Sequence, residues 1–180
     1  MRYEKMLRRQ GRRGASPLRL RSSLPLLFLL IVLTLLQLAC GRAPDLETPP
    51  EIVYGEDVCV ECGMIISDPR FAAAYVTSAG DARLFDDIGD MLVYDQRMGE
   101  AVHAYWVHDL HSEAWARAET ATFVTQSNLN TPMGWGIVAF ATAEDARLYV
   151  QASGGMMTTL AELQAAVANG SLKSAYMPNN

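Results

Sequence analysis

The 180-residue sequence predicts an α+β fold of two small strand-rich units, each closed by a helix in a βββα-like order. Short apolar segments between turn residues are typical of strands, and they precede helical patterns near residues 88 and 143. Side chains that can cap a helix open both helical patterns. The folded domain is expected at 52–180, with units at about 52–100 and 101–170.

The first 39 residues have the pattern of a secretory signal peptide. Eight of the fifteen Lys and Arg residues precede residue 22, and only Glu4 opposes them. The uncharged apolar segment 24–39 follows. A basic leader, a short apolar segment and small residues indicate export, although a segment of this length also suits an uncleaved signal anchor.

Cys40 stands where bacterial lipoprotein signals are cleaved and lipidated. It follows Leu38 and Ala39, although Gln37 occupies the position at which the usual pattern has Leu. Residues 40–51 contain three prolines and no apolar periodicity, which indicates an extended tether. We therefore expect lipid on Cys40 to hold the domain at the extracytoplasmic face of the cell membrane.

The first unit begins with two strands, predicted at 71–77 and 82–85 and separated by a turn. Asp86 or Asp87 can cap the helix that follows. Apolar residues recur at helical spacing in this segment until Gly99 ends it.

The second unit is expected to have three strands and two helices. A capping box of Thr142 and Asp145 begins the first of these helices, and Thr159 with Glu162 begins the second. The predicted strands are 102–108, 121–125 and 136–141, and the predicted helices are 143–152 and 160–168.

Without its leader the chain is strongly acidic. Residues 40–180 hold seven basic and nineteen acidic side chains, a formal net charge of −12 against −5 for the whole sequence. Nucleic-acid binding needs a basic face, so this composition argues against a nucleic-acid partner and suits binding of cations. No pattern indicates a nucleophile with its base, so we do not expect an enzyme.

Two cysteines remain if Cys40 is lipidated. Cys59 and Cys62 form the sequence Cys59-Val60-Glu61-Cys62-Gly63-Met64. This spacing lets both sulfur atoms converge on one ion, and Met64 can bring a thioether to the same side. Two thiolates and a thioether are soft ligands, which favour Cu(I) over hard cations.

Three other interpretations of the cysteine pair stay open. Exported thiols are often oxidised, so the pair can form a disulfide. It can supply half of a structural zinc site, with histidines and carboxylates as the other ligands. It can also be a thiol–disulfide redox centre, although the residues after Cys62 do not begin a helix.

Further donors are predicted at Met133 and His108. Met133 lies in the turn-rich segment 130–136 just before a strand, where a thioether is held on a corner of the fold. His108 flanks Asp109 at a strand end and can supply an imidazole.

The assembled motifs resemble the NosL family over residues 57–152. The resemblance is carried by four segments of this sequence: 59–72 with its Cys-Val-Glu-Cys-Gly-Met start, 85–89 (Phe-Asp-Asp-Ile-Gly), 107–109 with Trp115, and 131–140 (Thr-Pro-Met-Gly-Trp-Gly-Ile-Val-Ala-Phe). Many relatives have Cys after the Asp-Asp-Ile-Gly sequence, where this chain has Asp90.

The resemblance implies a copper-binding lipoprotein that carries Cu(I) and is not an enzyme. It implies Cys62 and Met64 as copper ligands, with Cys59 and Met133 beside them, and a fold of two strand–strand–strand–helix units. It also implies partners: nitrous-oxide reductase, whose copper–sulfide cluster would receive the metal, and a membrane copper and sulfur transporter complex.

Overall fold

The computed structural model describes residues 28–29 and 45–175. The predicted signal peptide, apart from Phe28 and Leu29, and the lipidation site Cys40 lie outside the described residues. The chain divides into two compact units, 1–43 and 44–180, and the strands and helices below all belong to the second. No helix within the described ranges has the length and apolar character needed to cross a bilayer.

The described part of the second unit contains seven strands and three helices, which confirms the predicted α+β class. The strands are β1 (Ala73–Thr77), β2 (Ala82–Phe85), β3 (Val102–His108), β4 (Trp115–Arg117), β5 (Thr122–Thr125), β6 (Val138–Phe140) and β7 (Met156–Thr158). The helices are α1 (Ile88–Met98), α2 (Ala143–Ser153) and α3 (Leu160–Ala168).

Four strands form the first antiparallel sheet, in the order β2-β1-β3-β4. All five residues of the central strand β1 are buried because both faces of the sheet are covered. Alternate side chains point to opposite faces of a strand. Tyr75 accordingly joins the main core, while Ala74 joins a smaller cluster with Ala104 and Trp106.

Three strands form the second antiparallel sheet, in the order β6-β5-β7. A parallel bridge between Asp109 and Ala139 links the end of β3 to β6, and the Leu110 N–H donates to the Ala139 carbonyl at 2.9 Å. Phe123 and Ile137 of this half belong to the same core cluster as Tyr75 of the first sheet. The two sheets therefore share one main core.

Helix α1 begins and ends as its sequence predicts. Asp87 is the N-cap, and its carboxylate accepts the Gly89 N–H at 3.0 Å. Gly99 ends the helix at φ 60°, a left-handed conformation that favours glycine. Ile88, Met91 and the other buried residues of α1 lie near its N-terminus, so this end of the helix enters the core.

Helices α2 and α3 also confirm their predicted starts. The Thr142 side chain accepts the Asp145 N–H at the start of α2. Thr159 and Glu162 form a reciprocal capping box at the start of α3, which satisfies two N–H groups that the helix leaves free.

Two strands and the division into units differ from the sequence-based prediction. β4 and β7 were not predicted, since each has three residues and neither shows a clear apolar alternation. The predicted units of 52–100 and 101–170 do not coincide with the two sheets, because β3 pairs with β1 of the first sheet. Along the chain, α1 follows only β1 and β2 and precedes β3, whereas the prediction placed three strands before the helix.

The C-terminal half of the predicted tether packs on the domain. Leu46 contacts the smaller cluster that contains Trp106. The Glu47 carboxylate accepts hydrogen bonds from His103 at 2.6 Å and Arg117 at 3.0 Å. Because β3 and β4 supply these partners, the segment from residue 45 is fixed to the outer face of the first sheet.

Candidate metal centre

The cysteine pair lies in a tight hairpin that precedes the first sheet. Val58 and Ile65 form an antiparallel bridge, and the Cys59 N–H donates to the Met64 carbonyl at 2.8 Å. Within the turn the Gly63 N–H donates to the Cys59 carbonyl at 3.0 Å. Gly63 has φ 74°, a conformation that glycine adopts without strain. The turn therefore brings the two cysteines to the same place.

Asp90 on α1 completes a group of three potential metal ligands. One ligand atom from each of Cys59, Cys62 and Asp90 lies within 4.8 Å of the others. Cys59 and Asp90 are buried, whereas Cys62 is half-buried. The Cys59 thiol lies 3.5 Å from Asp90 Oδ2, as donor to acceptor, and the Cys62 N–H points at the Cys59 sulfur at 3.4 Å.

Trp135 is hydrogen bonded to the second carboxylate oxygen of Asp90. Its indole N–H donates to Asp90 Oδ1 at 2.8 Å. The indole ring crosses the first turn of α1 at Gly89, where an added Cβ would lie 2.0 Å from the ring. Glycine at position 89 is therefore required for this close approach.

The loop that carries Met133 is fixed to the same helix end. The Met133 N–H donates to Asp87 Oδ2 at 3.0 Å, and the Ser174 hydroxyl donates to the Met133 carbonyl. Burial raises the pKa of Asp87 to about 6, against the hydrogen bonds from Thr131, Gly89 and Met133 that lower it. Asp87 is consequently ionised at neutral pH and accepts the hydrogen bonds that position this loop.

Cys62 and Met133 line one small cavity. Its volume is about 260 Å³, and its walls combine apolar and polar side chains. The cavity places the thioether residue, one thiol and the carboxylate group around a common space. Its lining residues are Glu61, Cys62, Asp90, Val93, Met133, Trp135 and Ser174.

Both cysteines are free, and their surroundings favour the protonated thiol. Burial raises the pKa of Cys59 and is also the largest cause of the raised pKa of Cys62. Reactive redox cysteines instead have lowered pKa values, commonly at a helix N-terminus. The hairpin does not itself begin a helix, and the first turn of α1 contacts Cys59 through the Asp90 carboxylate, which also raises the pKa of Cys62.

Met64 and His108, which the sequence also suggests as ligands, are not part of the group formed by Cys59, Cys62 and Asp90. The Met64 side chain is half exposed on the hairpin, and it does not line the cavity. His108 Nδ1–H donates to the Glu113 carbonyl at 2.7 Å, and the Tyr54 hydroxyl donates to its Nε2 at 2.8 Å. Both ring nitrogens are thus engaged, and burial lowers the pKa of His108.

Sequence reasoning did not assign Asp90 and Trp135 to the site. A signal for Asp90 was present, since it occupies the position at which the family resemblance leads one to expect a third cysteine. Trp135 lies in a segment that carries the resemblance, but its role in the site depends on contact with a residue 45 positions away, which the sequence does not reveal.

The hairpin, the helix end and the loop together define a small α+β domain with a sulfur-containing candidate metal centre. A family model described as NosL matches residues 50–168. The chain therefore belongs to the NosL family, and the resemblance inferred from its motifs is confirmed.

Two individual proteins are similar to this chain. The copper-binding lipoprotein NosL of Stutzerimonas stutzeri is 25% identical over 142 residues, which cover 71% of this chain and 74% of that protein. The crystal structure of the copper chaperone NosL from Shewanella denitrificans matches with a TM-score of 0.56 and 21% identity, over 66% of this chain and 96% of that chain. The second likeness supports the α+β fold.

Proposed function

We propose that this protein is an extracytoplasmic carrier of Cu(I), tethered to the membrane, and not an enzyme. The observation that carries the proposal is the convergence of the Cys59 and Cys62 thiols beside the cavity lined by Met133. Thiolate and thioether sulfur are the ligands that select Cu(I). The copper named for both similar proteins supports the same metal.

The site combines protection with access. Cys59 is 1% exposed, so one sulfur ligand is shielded from solvent. Cys62 is half-buried and lines an open cavity, so an incoming ligand can reach a metal held there. A carrier needs both properties, because it must hold its copper and then surrender it to a partner.

A structural zinc site is the second candidate, and Asp90 is the observation that favours it. Two thiolates and a carboxylate fit zinc, which accepts sulfur, nitrogen and oxygen ligands in tetrahedral sites. The raised thiol pKa values argue against the third candidate, a thiol–disulfide oxidoreductase.

The proposal also covers the protein that accepts the copper and the cellular location of the carrier. By family membership we propose nitrous-oxide reductase as the copper acceptor, with a membrane copper and sulfur transporter complex as the second partner. Lipid on Cys40 would hold the protein at the membrane, as the lipoprotein name of one relative suggests. Residues 41–44 separate Cys40 from the segment whose Leu46 packs on the domain.

Metal titration under anaerobic, reducing conditions tests the proposed function. Competition with a Cu(I) chelator should give one tightly bound copper per chain, and Cys62→Ser should lower the affinity by at least about 100-fold without unfolding the domain. Zinc at unit stoichiometry with weak copper binding would support the structural zinc site instead.

Methionine variants form a matched set in the same assay. Met133→Leu keeps volume and apolar character but removes the thioether that faces the cavity, so it should weaken Cu(I) binding. Met64→Leu tests the ligand implied by the family resemblance. Met98→Leu is the control, since Met98 is about as exposed as Met64 and does not line the cavity.

A further inference from the structure

The hairpin that carries the cysteines also concentrates exposed apolar side chains. Ten large apolar side chains are exposed among residues 45–175, and six of them fall within 53–65. Large exposed apolar patches on soluble domains mark interaction surfaces. We call these six residues the hairpin face: Val53, Tyr54, Val58, Val60, Met64 and Ile65.

The hairpin face adjoins the metal centre and is held by the folded domain. Val58 and Ile65 lie opposite each other in the antiparallel bridge, directly next to Cys59. The Val60 N–H donates to the Leu84 carbonyl of the edge strand β2 at 3.1 Å. A molecule that covered this face would therefore lie on the hairpin that carries both cysteines.

The segment that carries the hairpin face is acidic. Residues 51–66 contain Glu51, Glu56, Asp57 and Glu61, and no Lys or Arg. Glu61 pairs with Arg97 of α1, and the Asp57 carboxylate accepts the Val53 N–H. Glu51 and Glu56 are exposed, so the charges of this segment that face solvent are negative.

The negative charge of this segment decides which occupant suits the face. A second copy would bring like charges together, and an anionic membrane surface would be repelled in the same way. A protein with an apolar patch bordered by Lys and Arg is complementary in both charge and polarity. Such a protein would contact the hairpin that carries the candidate ligands Cys59 and Cys62.

We propose that the hairpin face is the docking surface for the protein that gives copper to this carrier or takes it, and that this partner has a basic border around an apolar patch. The proposal rests on the proposed function for the nature of the cargo. The docking itself depends only on the exposed side chains and charges of 51–66.

Two synthetic thiol peptides test the docking surface. Each has one Cys-x-x-Cys sequence flanked by leucines, with lysines in the first peptide and glutamates in its twin. Copper remains Cu(I) and moves from the thiolates of the protein to those of the peptide, whose thiol protons pass to the protein. At low salt the lysine peptide should remove copper at least about tenfold faster than its twin, and added salt should abolish the difference.

Variants of charged and apolar residues test whether the preference for the lysine peptide depends on the hairpin face. The double variant Glu51→Lys with Glu56→Lys should lose the preference for the lysine peptide, while Glu144→Lys on α2 should keep it. Val58→Ser should slow transfer about threefold, whereas Leu148→Ser should not, although the two parent side chains are 51% and 49% exposed. Equal transfer to both peptides by the wild type, or equal losses in the control variants, would overturn the proposal.

Two further measurements separate the outcomes. Binding of the fluorescently labelled lysine peptide to metal-free protein reports docking even if the chain holds no copper, so failure of the carrier function and failure of docking are distinguishable. Sedimentation of the wild type and Val58→Ser reports self-association. A wild-type dimer that Val58→Ser dissociates would assign the face to a second copy and overturn the proposal.

Discussion

Cys59 and Cys62 share one turn but meet different surroundings. Cys59 is almost fully buried against Asp90, while Cys62 faces the cavity. The pKa of each thiol is raised, chiefly by burial, so both are protonated at neutral pH. A metal that binds these sulfur atoms as thiolates must displace their protons.

Proton release makes the apparent Cu(I) affinity depend on pH. Affinity should rise by about tenfold per pH unit for each thiol proton displaced, between pH 6 and 8. Chelator competition at several pH values measures this slope. Cys62→Ser should reduce the slope by about one proton, and an affinity that did not change with pH would show that the thiols are not the ligands.

Helix α1 organises the metal centre as an element. Asp87 and Asp90 are three residues apart at its N-terminal end, so they lie on neighbouring positions of one face. Asp87 fixes the backbone at Met133, and Asp90 contacts both Trp135 and Cys59. One helix end thus connects the hairpin of the first half of the domain with a loop of the second.

Gly89→Ala tests this arrangement at the helix end. Alanine favours a helix over glycine by about 1 kcal/mol, but its Cβ would lie 2.0 Å from the Trp135 ring. Overpacking of this kind costs about 1–3 kcal/mol, so the variant should be less stable in urea unfolding despite its better helix propensity.

Gln96→Ala is the control for this variant, because Gln96 is exposed on the same helix. It should leave stability nearly unchanged. Greater stability of Gly89→Ala than wild type would show that the close approach of Trp135 is not required.

At the scale of the whole molecule, both sheets and α1 share one core. Side chains from both sheets and from α1 and α3 belong to the same buried cluster. The N-terminal segment extends this unit, since Leu46 and Glu47 contact the outer face of the first sheet.

Truncation separates the stability of the domain from its metal binding. A chain beginning at Glu51 loses the contacts of Leu46 and Glu47. Loss of the apolar contacts of Leu46 should lower its free energy of unfolding by about 1–2 kcal/mol relative to a chain beginning at Asp45. Both chains should bind Cu(I) equally, since the candidate ligands lie after residue 51. Loss of copper binding in the shorter chain would place a ligand, or its support, in the removed segment.

His108 should make the domain sensitive to mild acid. A histidine in the unfolded chain has a pKa near 6.5, whereas burial lowers the pKa of His108 in the folded state. Below pH 6.5 the unfolded chain therefore binds more protons at His108, so His108 lowers the free energy of unfolding as pH falls through this range. Asp87, whose pKa is raised in the folded state, contributes in the opposite direction.

Substitutions at histidine identify the source of this acid sensitivity. Urea unfolding at pH 7.5 and pH 5.5 should show a smaller acid-induced loss in His108→Gln than in wild type. His111→Gln, at an exposed position, should keep the wild-type loss. An identical loss in His108→Gln and wild type would place the proton uptake at another group.

The sequence by itself determined the fold class, most strand and helix positions, and the cysteine pair. These features depend on local patterns: Asp87 and Gly99 limit α1 because capping and left-handed glycine act within a few residues. The Cys59–Cys62 pair was predicted for the same reason, since its spacing alone allows the sulfur atoms to converge.

The tertiary structure decided the partners of these elements and the rest of the site. Short strands such as β7 depend on a hydrogen-bonded neighbour more than on their own residues, so local pattern did not reveal them. Histidine is a common metal ligand, but in the folded protein both ring nitrogens of His108 are hydrogen bonded to other residues. Asp90 and Trp135 joined the site through contacts between residues far apart in sequence, which single-residue patterns do not record.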